Sequence, residues 1–265
     1  MAQLNPVISN KLKALQGGLL KGHRIFTPEL SDSDLERRFS EPSTYSHNVV
    51  MEFTKNEDLL GQYFRLRKDI YKKVLNCDVF EAQADEVDKR SEIIVLKSGN
   101  RCVGGARATI STPENPSLLP MEANGFYLKD AFPQIDFSKI AYAEVSRAAV
   151  LPEFAKGQYV DELYANLYYK GLEFGTEILF TITYALHARR ARTAGSKIGL
   201  NMIQRPDIDA PHFTPSENLH LTLTMWDLTP DKRHEAALRG ELVRKSDKEA
   251  AEEVAKADVE EFEFA

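Results

Sequence analysis

One stretch limits what this chain can fold into more than any other: AYAEVSRAAV, residues 141–150. Small and β-branched residues, with no Gly and no Pro, predict a strand. Yet Glu144 and Arg147 stand in its middle, and a charge on a buried strand costs several kcal/mol unless it is paired. Two readings are open at this point. One is a structural ion pair; the other is a catalytic carboxylate held by a neighbouring guanidinium. The choice turns on whether the rest of the chain supplies partners.

The 265 residues, 43% of them hydrophobic, suffice for one good core with long appendages. A formal charge of -6 argues against a nucleic-acid binder that relies on overall charge. Cys77 and Cys102 make neither a disulfide framework nor a zinc site, so no metal is expected, and each reads as a small buried hydrophobe. The start, MAQLNPVISNKLK, has no apolar core of signal-peptide length, and no run reaches the length of a membrane span. The expectation is a soluble, cytoplasmic protein without an integral span.

Residues 1–47 read as an extension and linker: a short basic segment broken at Gly17-Gly18, then a polar, Ser-rich run. VVMEF at 49–53 predicts a strand. Asn56 suits an N-cap, with Glu57 and Asp58 at the positive end of a helix whose apolar residues recur from Leu59 to Leu75. Arg67 lies four residues before Tyr71 and so on the same face as an aromatic. NCDVFEAQADEVDKRS reads as a loop, and Asp85 and Asp88 in it are either solvated acids or partners for Arg67. EIIVLK, SGN and RCVGGARATI predict a hairpin, with Gly104-Gly105 marking a bulge or a close backbone approach.

After residues 141–150, a helix is predicted over 158–174 with Gly175 as its C-cap. EILFTITY predicts a strand covered on both faces. HARRARTAG predicts a short basic helix, IGLNMI a further strand, and LHLTLTMWDL an alternating one. The order of elements implies a mixed α/β sheet with helices on both faces. One domain over 48–228 is expected, followed by a helical, acidic tail over 229–265.

Five motifs occur in order: Arg67-Lys-Asp-Ile-Tyr71, Asp85-Glu-Val-Asp88, Gly104-Gly-Ala-Arg107, Phe132-Pro133 and Glu144-Val-Ser-Arg147. Together they resemble the autoinducer synthases, which make N-acyl-homoserine lactones, and the related N-acyl amino acid synthases. Both are similar to the GNAT acyltransferases. The resemblance covers about residues 49–200. It implies a GNAT-like fold, with a central split sheet and helices on both faces. It implies acyl transfer from a thioester, usually on acyl carrier protein, to a primary amine. No tightly bound cofactor is implied; acyl-ACP, or acyl-CoA, is a donor substrate.

The resemblance assigns catalytic positions to Glu144, Ser146 and Arg147, and substrate binding to Arg67, Tyr71, Asp85, Asp88, Arg107 and Phe132. An α-amine has a pKa near 8 and needs a base at the moment of attack, for which Glu144 is the candidate. The tetrahedral intermediate needs backbone N–H donors. A regular strand puts Glu144 and Arg147 on opposite faces, whereas a bulge near Ser146 brings both toward one cleft. Arg67, Arg107 and Arg147 then balance Asp85, Asp88 and Glu144 around the amine pocket; a network that only ties loop to sheet is the other reading. Arg189, Arg190 and Arg192 suit an acidic carrier protein or a phosphopantetheine phosphate, or else form a solvated basic face. No Gln/Arg-x-x-Gly-x-Gly/Ala turn is present, which favours carrier protein over coenzyme A.

The chain departs from the lactone synthases at Cys77, where they have Trp, and at Tyr71, where they have Phe. In that family those aromatics shape the S-adenosylmethionine pocket. Leu119-Pro120-Met121-Glu122 looks like the amino acid synthases, LKDAFPQI like the lactone branch. The expectation is an N-acyl amino acid synthase. Its alternatives are a lactone synthase for quorum sensing and a non-catalytic GNAT-like binding module.

Overall fold

The computed structural model describes residues 49–75, 78, 81–122, 125–155, 158–209 and 221–241. The expected extension over 1–47, Cys77 and the tail beyond 241 lie outside the described residues. The elements in order are β1 (Val49–Phe53), α1 (Glu57–Leu75), α2 (Glu86–Lys89), β2 (Glu92–Ser98), β3 (Arg101–Ser111), α3 (Leu128–Ala131), β4 (Ala141–Val150), α4 (Gln158–Glu173), β5 (Thr176–Tyr184), α5 (Ala185–Lys197), β6 (Ile203–Arg205), β7 (Leu221–Asp227) and α6 (Glu235–Arg239). The strands form one seven-stranded sheet in the order β1-β2-β3-β4-β5-β7-β6. Neighbours are antiparallel except β4 and β5, which run parallel and are joined by the crossover through α4.

Local chemistry explains the elements that position the site. Asn56 caps α1 by accepting the Leu59 N–H at 3.0 Å. Asn56 thus fills its expected role, and the acidic first turn and basic last turn complement the helix dipole. Gly175, at φ +68, follows α4 as the sequence predicts. Gly105 is a close approach: a Cβ there would lie 2.6 Å from the Ile94 carbonyl oxygen and 2.7 Å from the Tyr63 ring.

Two expectations fail locally. The segment read as a loop before β2 contains α2. IGLNMI is not a strand: α5 runs to Lys197, the Leu200 N–H closes back on the Gly195 carbonyl at 2.9 Å, and strand pairing starts only at Ile203. Ile198 and Leu200 are buried as the end of a helix, a distinction that a short apolar run does not encode.

One sheet face is covered by α4 and α5, where Leu163, Leu167 and Tyr168 meet Ala143, Val145 and Trp226. The other face carries two separate apolar clusters. Under α1, Tyr63, Phe64 and Leu66 pack on Ile93, Val95 and Ala149. Further across, Leu119, Met121, Leu128 and Phe132 pack on Phe180, Leu223 and Met225. Between these clusters runs a polar row: Arg107, Thr109 and Ser111 on β3, beside Ser146 and Glu144 on β4.

The pairing of β4 with β5 ends at Glu144↔Phe180. Beyond it β4 continues to Val150 against β3, and β5 continues to Tyr184 against β7. The sheet therefore parts in its middle, beside Glu144, as the GNAT-like expectation requires.

Candidate active site

The central strand is bulged. On β3, Gly105 and Arg107 stand opposite Ala149 and Ser146, so β4 carries one residue more than its partner. The extra residue is accommodated at Arg147, whose φ of +60 is left-handed. Such a conformation costs about 1–2 kcal/mol for a residue with a Cβ. The bulge inverts the strand's phase. Ala143 and Val145 face α4, whereas Ala149, which would otherwise follow them, joins the cluster under α1. The bulge expected near Ser146 is thus present, one residue further on. Tyr63 of α1 donates its hydroxyl to the Arg147 carbonyl at 2.7 Å.

Four of the six expected charges are bonded to one another. Arg67 grips Asp88 with both terminal nitrogens, at 2.9 and 2.8 Å, while its guanidinium lies over the rings of Tyr63 and Phe64. Arg107 reaches Asp88 at 3.0 Å and both Asp85 oxygens at 3.1 and 3.2 Å. Its Nε donates to Ser146 Oγ at 3.2 Å. The two acids close a capping box on α2: Asp85 accepts the Asp88 N–H at 2.6 Å, and Asp88 accepts the Asp85 N–H at 3.0 Å. Burial alone would raise the Asp88 carboxyl. The Arg67 hydrogen bonds and charge, the Asp85 N–H and Arg107 outweigh it and hold the group below the usual carboxylate range.

Glu144 is buried at 5% exposure but is differently served. Its Oε2 accepts the Met121 N–H at 2.7 Å. Burial pushes its carboxyl up to about 7. The Met121 N–H and the charges of Arg107 and Arg147 oppose the rise, and the nearby Glu122 adds to it. The result is a carboxyl that changes protonation near neutrality, as a general base should. Glu122 is itself buried and accepts the Leu119 and Leu128 N–H groups at 3.0 and 3.1 Å. Glu144 thus fastens Met121 to β4, while Glu122 ties Leu119 to Leu128.

Sequence reasoning did not assign roles to Glu122 or Tyr63. The Leu-Pro-Met-Glu segment was the available signal for Glu122. Tyr63 looked like one more apolar position on a helix.

The remaining predicted residues are placed as follows. Tyr71 is half-buried and within electrostatic reach of Arg147, Tyr164 and Tyr184. Near it, the Tyr164 hydroxyl is 3.4 Å from His187 Nδ1, and the His187 ring stacks on Tyr184 at 4.5 Å. Burial pushes the His187 imidazole down to about 4, so it is neutral. Phe132 lies away from the ionic cluster, in the apolar cluster with Phe180, with Arg205 over its ring at 5.7 Å. On α5, Arg189 is exposed. Arg190 is turned toward Asp161 of α4, at 3.7 Å, and Arg192 bonds Gln204 at 2.7 Å. Among the described residues, no group of three His, Cys, Asp or Glu side chains is placed to hold a metal ion, and no helix is long and apolar enough to cross a membrane.

No protein-family model and no curated protein sequence matches the chain. Solved structures do. The AHL synthase LasI is 17% identical, covering 74% of this chain and 96% of its own, with a TM-score of 0.50. FeeM, an N-acyl amino acid synthase from uncultured soil microbes, is 15% identical, covering 72% of this chain and 97% of its own, also with a TM-score of 0.50. The resemblance stated from the five motifs is therefore met at the level of architecture: the chain has the mixed α/β fold shared by an acyl-homoserine lactone synthase and an N-acyl amino acid synthase.

Proposed function

We propose that the protein is an N-acyltransferase that moves an acyl group, in the reading we favour a long one, from an acyl-carrier-protein thioester to the amine of an amino acid. The observation that carries this reading is Glu144: a buried carboxyl titrating near 7, at the point where β4 and β5 part, beside a bulge that turns Arg147. In a bland structural ion pair the acid would be held below its ordinary range, as Asp88 is.

The chemistry follows from the charges. Glu144 takes a proton from the acceptor ammonium, directly or through a water. The freed amine nitrogen attacks the thioester carbonyl carbon, and the backbone N–H groups of the bulge are assigned to the developing oxyanion. The C–S bond then breaks: the nitrogen gives up its second proton, the sulfur leaves as a thiol carrying one of the two protons, and Glu144 releases the other to solvent. The products are an amide, free carrier thiol and one proton, so atoms and charge balance.

Arg107, tied to Asp85 and Asp88, steadies Ser146 at the edge of the substrate site, and Arg147 is assigned to the acceptor carboxylate. Tyr71, within electrostatic reach of Arg147, is assigned to the boundary of the amine pocket. Phe132 lies in the apolar cluster on the same side as Glu144 and is assigned to the wall of the substrate site rather than to charge recognition. Arg189 and Arg192, on the outer side of α5, are the docking charges for the acidic carrier.

The lactone synthase reading rests on the LKDAFPQI segment, which forms α3 and places Phe132. One experiment separates the two. Purified protein is given acyl-carrier or acyl-CoA thioesters and a set of amines including S-adenosylmethionine, with thiol release followed and the product identified by mass. An open N-acyl amino acid supports the proposal, and a homoserine lactone supports the second reading. If no amine triggers thiol release from either donor, the acyltransfer assignment is wrong.

A further inference from the structure

The bulge in β4 holds a side chain other than glycine in the left-handed region, at Arg147. A conformation of that kind persists only where its surroundings over-determine it. Tyr63 supplies the constraint. It is fully buried, and its hydroxyl donates to the Arg147 carbonyl at 2.7 Å from a helix on the far side of the polar row. Its ring occupies a slot that exists because residue 105 is glycine; a Cβ there would come within 2.7 and 2.9 Å of two ring carbons. Above the ring lies the Arg67 guanidinium, 5.5 Å from its centroid, which Asp88 holds through both carboxylate oxygens. Asp88, Arg67, Tyr63 and the Arg147 carbonyl thus form one unbroken line from α2 to the bulge.

We infer that Tyr63 is a positioning residue, which pins the β4 bulge through the Arg147 carbonyl and so keeps Arg147 on the same side of the sheet as Glu144. Its consequence for turnover rests on the acyltransfer reading above; its consequence for geometry does not. Burial keeps the phenol protonated and hence able to donate, the role that a carbonyl partner requires. If the pin is removed, β4 can relax toward a regular strand. In a regular strand positions 144 and 147 face opposite ways, and Glu144 loses a positive neighbour. Glu144 is faced by Arg107 from β3, by Arg147 from its own strand and by Glu122 from the 119–128 segment. Weakening the Arg147 contribution alone therefore moves the Glu144 titration upward.

Tyr63→Phe keeps the ring and deletes the hydroxyl. The expected result is a kcat lowered about tenfold, an unchanged KM for the thioester, and a pH–rate profile whose acid limb lies higher than in the wild type. The Glu144 titration, read by infrared difference against Glu144→Gln, should move upward in the Tyr63→Phe background without any substrate present. Melting temperatures give a second, activity-free arm. Glycine adopts positive φ freely, so in an Arg147→Gly background Tyr63→Phe should lower the melting temperature by less than half as much as it does alone. An equal drop in both backgrounds, or an unmoved Glu144 titration, would overturn the inference and leave Tyr63 an ordinary core residue. A wild-type protein inactive on every donor and amine would instead defeat the acyltransfer reading, while the titration and melting arms still decide on Tyr63.

Discussion

Asp88 and Glu144 are both buried carboxyls on the same side of one sheet, and they behave in opposite ways. Asp88 accepts from Arg67, Arg107 and the Asp85 N–H, and is held below the usual carboxylate range. Glu144 accepts from the Met121 N–H, with its positive neighbours further off, and burial lifts it to about 7. The decisive variable is therefore not depth but the number of donors that reach the oxygens. A saturated carboxylate is an anchor, because its charge is already spent on the arginines. An under-served one keeps a proton affinity that chemistry near neutral pH can use. The α2 end of the polar row is ionic scaffold, and in the function proposed above the end at the parted strands carries the chemistry.

The largest effect that tests this division is on the anchor. Asp88→Ala strands two arginines in a buried setting, and breaking such a pair costs about 3–5 kcal/mol. The melting temperature should fall by roughly 10 °C. A fall of only a degree or two would mean that the cluster is not structural. Next in size is Glu144→Gln, which retains an oxygen for the Met121 N–H but cannot take a proton. Turnover should drop by about 10²-fold or more with no loss of stability. A rate equal to wild type would remove Glu144 from the role of base.

The same contrast sets the pH dependence. Asp88 is depressed below its ordinary value of 3.8, so the stability it contributes is present above that value and lost as the solution is acidified. Glu144 is raised from 4.5 to about 7, so its contribution is complete below 4.5 and disappears as pH rises through 7. Wild type and Glu144→Gln should therefore diverge as pH rises from 4.5 through 7, with the variant ahead by about 3 kcal/mol at pH 8. Chemical denaturation across pH 5–8 measures the gap. Parallel curves would show that Glu144 is already ionised well below neutrality.

Much of this was legible in the chain. Glu144 and Arg147 at a spacing wrong for one strand face suggested a bulge, and Gly104-Gly105 signalled a bulge or a close approach, of which the structure shows the close approach at Gly105. Asn56 and Gly175 marked helix ends through local chemistry alone. What stayed hidden depends on contacts made far along the sequence. Tyr63 reads as an apolar helix position until its hydroxyl meets a carbonyl 84 residues away. Asp85 and Asp88 sit in a segment of weak periodicity, so their reciprocal capping of a four-residue helix leaves no pattern. Glu122 looks like one more loop acid because the N–H groups that it satisfies belong to its own segment.

The smallest expected effect lies outside the polar row, on α5, and asks whether fixed charge at the surface behaves like fixed charge in the core. Arg190 already faces Asp161 at 3.7 Å, a carboxylate that Lys197 also approaches at 3.1 Å. Arg192 is held by a neutral amide, and Arg189 is exposed, so these two present the field that an acidic carrier would meet. Exposed charges are worth at most about 1 kcal/mol each and are screened within roughly 10 Å at 0.1 M salt. Arg189→Glu and Arg192→Glu should each raise the KM for an acyl-carrier thioester several-fold at low salt. Neither should change kcat, and the penalty should fade as salt is added. Arg190→Gln should do less, because its charge is already answered. If both reversals act alike on carrier-bound and coenzyme A-bound donors, α5 is not the docking face, since the smaller donor has no acidic protein surface for it to read.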